Sequence, residues 1–312
     1  MTEKRNGKTR RIWGLLLVVV LITSCCLIPP FASPIKPQVQ ETGPNHHYIQ
    51  VNGRQVHYVM MGSGAPLILL HSGGTSWHDW EAIMPELSRH YTVYAPDFPG
   101  CGNSQELIGV HNIQSYTDFV EGFISVIGLT GKKVNIMGMS FGGMTALNFS
   151  LAHPDQVNSL ILLEVGYKYS HPERRPLLSF LAFISKSSVI REATKWWIYQ
   201  FGSRGWLLWL DLDTGRDFLR ASSRATLETL LSWSELDLPI NQLSHLDIPV
   251  LLSIGENDLE VTVAAANDLN NILPDSQLLV IPGVSHYDFG LKNLGKGGEL
   301  DKKILDFLAA NN

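Results

Sequence analysis

Cysteine is scarce in this chain of 312 residues: there are three, and Cys25 and Cys26 sit side by side near the start. Only Cys101 is left for the remainder, so no disulfide framework supports it. Charge is sparse as well, at 17% of residues, and the formal net charge of -5 offers nucleic acid no general attraction. Histidine, cysteine and acidic residues nowhere fall at a recognised metal-ligand spacing, so neither a metal nor a cofactor is expected. There is no internal repeat, and no low-complexity segment interrupts the main body. What is abundant is apolar: 45% of residues are hydrophobic, enough for one large core and an inserted subdomain.

The charge is unevenly placed. Lys4, Arg5, Lys8, Arg10 and Arg11 against Glu3 give residues 1–11 a net of +4, which leaves -9 on the rest. An apolar run, Ile12 to Ile28, follows, then Pro29-Pro30. A positive n-region before an apolar h-region is an export signal. Residues 1–28 are therefore expected to be a signal peptide or membrane anchor. Ile22-Thr23-Ser24-Cys25 resembles a bacterial lipoprotein signal with Cys25 as the lipidated residue. The run also reaches the lower limit of about 17 residues for a spanning helix. Ordinary secretion is the third reading. Residues 29–44, with Pro29, Pro30, Pro34 and Pro37, form a stiff tether. An exported, membrane-tethered protein is the expectation.

The body opens with a hairpin signal, Asn52-Gly53 between His47–Val51 and Gln55–Met60. Then come strand Leu67–Leu70, helix Trp77–Leu87, strand Tyr91–Ala95, helix Tyr116–Ile127 and strand Val134–Met137. Strand Val157–Val165 follows. From about Gly166 to His245 the alternation breaks into helical periodicity, with Trp196, Trp197, Trp206, Trp209 and Trp233. The βα order returns with Pro249–Ile254, Val261–Ile272, Gln277–Ile281 and Leu300–Ala309. A hairpin followed by repeated strand–helix units predicts an α/β fold, a mostly parallel open sheet flanked by helices. Ligands of such sheets bind beyond the carboxyl ends of the strands.

Between strand and helix stands Gly138-Met139-Ser140-Phe141-Gly142. A serine at that turn with glycine two residues to either side is a nucleophile elbow: the strained turn lifts the hydroxyl clear of the sheet. Serine needs a base. His286 follows the last strand, and Asp258 follows the one before it. The spacing of 28 residues between them allows one helix and one strand to return the histidine beside the acid. Glu164, at the end of its own strand, is the second candidate acid, and Glu256 a weaker third. His71 is expected to bond loop backbone, and Asp97 to hold a tight turn.

Leu70-His71, Gly73-Gly74, Asp97 through Ser104, the Ser140 elbow, Gly255 through Asp258 and His286 together resemble the α/β-hydrolase fold superfamily, in its serine-nucleophile branch with a helical cap. The resemblance covers roughly residues 45–310. It implies a hydrolase core at 45–165 and 246–312 with a cap at 166–245. It also implies an oxyanion hole made by the backbone N–H groups of Gly73 and Phe141. Ser72 and Ser285 depart from the family pattern, which usually has glycine after the strand-end histidine and often has it before the catalytic histidine. Ser72, Trp196, Trp197, Trp206 and Trp209 are candidate pocket residues, the tryptophans forming a dry, apolar access route.

The expected activity is that of a serine hydrolase of the carboxylesterase type, acting on a small to medium apolar ester or related acyl compound. Enzymes of this fold that hydrolyse carbon–carbon bonds, or act as cofactor-free haloperoxidases, share these motifs and stay open as alternatives. Haloalkane dehalogenases and epoxide hydrolases of the same fold carry aspartate where this chain has Ser140. A tethered binding protein without turnover is the reading from another class.

Overall fold

The computed structural model describes residues 40–171, 173, 175–176, 179, 187, 217, 220–286 and 288–312. The N-terminal segment with Cys25, and Trp196, Trp197, Trp206 and Trp209, lie outside the described residues.

Eight strands form one open sheet: β1 (His46–Val51), β2 (Arg54–Met61), β3 (Ala65–Leu70), β4 (Tyr91–Pro96), β5 (Val134–Met139), β6 (Val157–Leu163), β7 (Val250–Gly255) and β8 (Ser276–Ile281). Their order across the sheet is β1-β2-β4-β3-β5-β6-β7-β8. Pairing is antiparallel for β1–β2 and β2–β4 and parallel from there on. The hairpin turns as its residues demand. Asn52 and Gly53 both take positive φ, 51° and 74°, and Val51 pairs with Arg54 across a two-residue loop.

The helices are α1 (Met84–Leu87), α2 (Ile113–Val126), α3 (Phe141–Ala152), α4 (Ser223–Ser234), α5 (Ile240–Leu243), α6 (Val263–Ile272), α7 (Phe289–Asn293) and α8 (Glu299–Ala310). The helix expected over Trp77–Leu87 is instead a 3-10 turn at Trp77–Trp80 followed by the short α1. Pro85 explains the break, because a residue without an N–H is accommodated only in a helix's first turn. Helix α2 starts three residues before the expected Tyr116, where Asn112 and Ser115 form a reciprocal capping box. Strand β6 ends at Leu163 rather than Val165, since Glu164 turns into the left-handed region at φ 57°. Helix α7 was not expected.

The apolar run of β3 splits by strand alternation. Leu67 and Leu69 pack with Trp80, Ile83, Leu87 and Phe307 on one side. Ile68 and Leu70 pack with Phe119, Phe123 and Phe149 on the other. Both faces are thus covered, and the sheet's carboxyl edge is left to the loops. No helix among the described residues is long and apolar enough to cross a membrane.

A latch joins the core to the 166–245 stretch. His78 Nδ1 lies 2.7 Å from Asp217 Oδ2, Ser76 Oγ donates to the same carboxylate, and Asp217 is buried. Burial by itself lowers the His78 pKa, but the hydrogen bond and charge of Asp217 outweigh it and raise it from 6.5 to about 9. A raised folded-state pKa adds stability that is fully present below pH 6.5 and is lost as pH rises through about 9. Thermal denaturation followed from pH 6 to 10 should therefore show a loss of roughly 2–3 kcal/mol. Asp217→Asn should flatten that slope; an unchanged slope in the variant would refute the latch.

Candidate active site

The ends of β3, β5, β6, β7 and β8 carry His71, Ser140, Glu164, Asp258 and His286 in turn. In the sheet β8 lies three strands from β5, about 14 Å at normal strand spacing. The loop after β8 therefore has to reach back over β7 and β6. It is held for that reach: Asn257 N–H donates to Val284 O at 2.8 Å and Gly283 N–H to Glu256 Oε2 at 2.9 Å. Ser285 donates to Asp288 Oδ1 from both its backbone N–H (2.8 Å) and its hydroxyl (2.9 Å), a bracket that glycine lacks a side chain to complete.

Ser140 sits at φ 51°, ψ -118°, a region that costs a non-glycine residue on the order of 1–3 kcal/mol. Its N–H donates to Leu163 O at 2.8 Å, which pins the turn to β6. The flanking glycines are required by crowding. A Cβ on Gly138 would lie 2.6 Å from the backbone of Gly142 and Gly143, and one on Gly142 would lie 2.1 Å from Leu70 O. The turn thus presses β5, α3 and the end of β3 together, with Ser140 on top at the N-terminus of α3.

Three separated side chains meet there. Ser140 Oγ is 3.1 Å from His286 Nε2, and His286 Nδ1 is 2.7 Å from Asp258 Oδ2. The other Asp258 oxygen accepts the N–H groups of Glu260 and Val261, each at 2.8 Å. With Nδ1–H donated to Asp258, Nε2 presents its lone pair to the serine hydroxyl.

Glu164 lies beside this line but is not in it. Its Oε2 is 3.7 Å from His286 Nδ1, beyond hydrogen-bond reach, and its Oε1 has no hydrogen-bond partner among the described residues. Burial, with the nearby charge of Asp258 next, pushes its pKa well above the ordinary glutamate value, which disfavours its charged form.

Gly73 adjoins Phe141: a Cβ on Gly73 would touch Phe141 Cβ at 3.4 Å. The two flank a crevice also lined by Phe98, Cys101, Tyr116 and Thr229, too narrow among the described residues for a water molecule. Ser72 is tied into the β3 loop. Its N–H donates to Asp79 Oδ2 at 2.9 Å and its carbonyl accepts from His71 Nδ1 at 2.7 Å. His71 Nε2 accepts the N–H of Phe98 at 2.8 Å, so both ring nitrogens serve loop backbone. Asp97 accepts from Asn103 N–H at 2.8 Å and Trp77 N–H at 2.9 Å, and also pairs with His57.

Trp233 was not singled out for the site in the sequence. Its ring is stacked on His286, with centroids 6.5 Å apart and planes 13° from parallel, and it meets Tyr169 edge-on. Its membership of the tryptophan-rich stretch was the one available signal; nothing in its neighbours distinguishes it from the other four.

Known proteins carry the same arrangement of elements. Residues 65–292 match the model of the alpha/beta hydrolase fold family. The chain is 27% identical over 269 residues to 2-hydroxy-6-oxo-2,4-heptadienoate hydrolase of Pseudomonas putida, covering 80% of this chain and 91% of that one. It is 35% identical to a soluble epoxide hydrolase of a Corynebacterium, but over 120 residues only, 38% of this chain and 41% of the relative. A thermophilic esterase from Thermogutta terrifontis superposes with a TM-score of 0.71 at 22% identity, over 85% of this chain and 98% of its own. Given the parallel sheet, the elbow between β5 and α3 and a family match spanning most of the described body, the chain belongs to the alpha/beta hydrolase fold family and is a hydrolase of that fold.

Proposed function

We propose that this hydrolase cleaves esters of small to medium apolar acids through an acyl-enzyme on Ser140. One observation carries the reading: a serine hydroxyl on a strained elbow lies 3.1 Å from an imidazole whose far nitrogen is held by a carboxylate. His286 Nε2 takes the Oγ proton as Oγ attacks the ester carbonyl, then gives it to the leaving alcohol; Asp258 supports the imidazolium meanwhile. Phe141 N–H at the start of α3 and Gly73 N–H receive the oxyanion, an interaction worth ~3–4 kcal/mol per donor. Water, activated by the same imidazole, releases the acid. Trp233 lies nearly parallel to the ring, with centroids 6.5 Å apart.

Carbon–carbon bond hydrolysis is the second reading, favoured by the likeness to a dienoate hydrolase. Against it, the line from the Ser140 hydroxyl through the imidazole to the carboxylate supplies the nucleophile and the proton transfers that ester cleavage through an acyl-enzyme requires. The partial epoxide-hydrolase likeness is weighed down by Ser140 at the elbow, where the resembled epoxide hydrolases carry aspartate. Kinetics on esters graded in acyl length, run beside a 2-hydroxy-6-oxo-dienoate, test the proposal. Turnover should peak at a short or medium acyl chain. Turnover of the dienoate with none of the esters would transfer the assignment to carbon–carbon cleavage, and a folded protein inert to all of them would favour a binding role.

A further inference from the structure

A second set of donor atoms gathers at the β1–β2 edge of the sheet. Tyr48 of β1 faces His57 of β2 in the ladder, and strand alternation puts His46, two residues before Tyr48, on the same side as His57. The two imidazoles stack, centroids 5.2 Å apart, with His46 Nδ1 3.0 Å from His57 Nε2. Glu41, in the segment before β1, brings Oε2 to 3.6 Å from His46 Nδ1. One donor atom from each of the three residues lies within 4.8 Å of those from the other two.

The surrounding bonds orient these atoms. The fully buried His57 and Asp97 pair through Nδ1 and Oδ2 at 2.7 Å, so the His57 proton is held on Nδ1 and its Nε2 lone pair faces His46. Trp77 Nε1–H donates to Glu41 Oε2 at 2.7 Å, and Tyr48 donates its hydroxyl to Glu41 O at 3.0 Å. A histidine whose far nitrogen is fixed by a buried carboxylate, and a carboxylate fixed by an indole, are the supports that metal ligands require.

We propose that Glu41, His46 and His57 form a zinc site outside the active site, with His46 Nδ1, His57 Nε2 and a Glu41 carboxylate oxygen as ligands and a fourth position open to water. Ligands around a tetrahedral zinc at 2.0–2.1 Å lie about 3.3 Å from one another. Two of the three separations, 3.0 and 3.6 Å, bracket that value, and the third, between Glu41 and His57, is within 4.8 Å. Two imidazoles favour zinc over calcium or magnesium, which take mainly oxygen ligands. The partly exposed edges of His46 and Glu41 give the ion a path in. Zinc takes the place of the proton between the two rings: His46 changes to its Nε2–H tautomer by exchange with solvent, so both histidines bind as neutral imidazoles. The ion would staple the incoming segment to the β1–β2 hairpin.

Calorimetric titration of zinc chloride into chelator-treated, tag-free full chain tests this, with Cys25 and Cys26 replaced by serine so that their thiols do not compete. One zinc per chain should bind and raise the melting temperature with zinc concentration. His46→Asn and Glu41→Gln should each weaken binding by about 100-fold. Cobalt(II) in place of zinc should show the visible bands of tetrahedral coordination, lost in both variants. Glu164, Asp258 and His286 also cluster within 4.8 Å, so His286→Ala is the control and should leave affinity unchanged. Absence of saturable binding overturns the site, as does binding that survives His46→Asn and Glu41→Gln or disappears with His286→Ala. Should His46→Asn fail to fold, Glu41→Gln carries the same test.

Discussion

Ser140→Ala should lower kcat by about 10⁵- to 10⁶-fold while the protein melts as the wild type does. The size of the loss follows from the chemistry: without Oγ there is no acyl-enzyme, and what remains is whatever the oxyanion donors and binding provide to a direct attack by water. The fold should survive because among the described residues the hydroxyl bonds His286 and no core group, and alanine meets the same backbone strain at φ 51° that serine meets. Ester turnover and covalent labelling by a fluorophosphonate report the result together. Labelling should vanish with the hydroxyl. A variant that keeps a tenth of the wild-type rate would remove Ser140 from the mechanism and the ester proposal with it.

The second large effect separates the two acids beside His286. Asp258→Asn is expected to cost about 10⁴-fold in kcat, because an amide at 2.7 Å can donate to Nδ1 and leave the wrong nitrogen protonated. Glu164→Gln should cost less than about tenfold. Two physical facts set this ranking. Glu164 stands 3.7 Å from Nδ1, too far for a hydrogen bond, and burial, then the Asp258 charge, raises its pKa and so disfavours the charged form that could support the imidazolium. Both variants should be compared at a pH where wild-type activity is flat. The reverse ranking would make Glu164 the orienting acid and reduce Asp258 to a loop brace bonded to Glu260 and Val261.

Much of the fold was legible because its signals are local. Asn52-Gly53 specifies a tight hairpin wherever it occurs, and the continuous apolar run of β3 has to be covered on both faces. The elbow was legible for the same reason: glycine at 138 and 142 reports the backbone crowding of the turn, against Gly142 and Leu70. Where local reading failed, a competing local rule had been given too little weight. Pro85 shortened one helix, and the Asn112–Ser115 cap lengthened another. Ser285 read as a departure from a family pattern, whereas its side chain brackets the loop that carries His286.

The sequence by itself determined the strand–helix order, the elbow and the chain order of Ser140, Asp258 and His286, because alternation, turn chemistry and helix stops act between residues a few positions apart. Tertiary structure alone decided which carboxyl reaches Nδ1, which tryptophan lies along the imidazole, and that Glu41, His46 and His57 converge at spacings no ligand motif contains. Those are distances between elements, set by strand order, register and the loops that cross the sheet's edge, and a contact between side chains of different elements leaves no periodic trace in either segment.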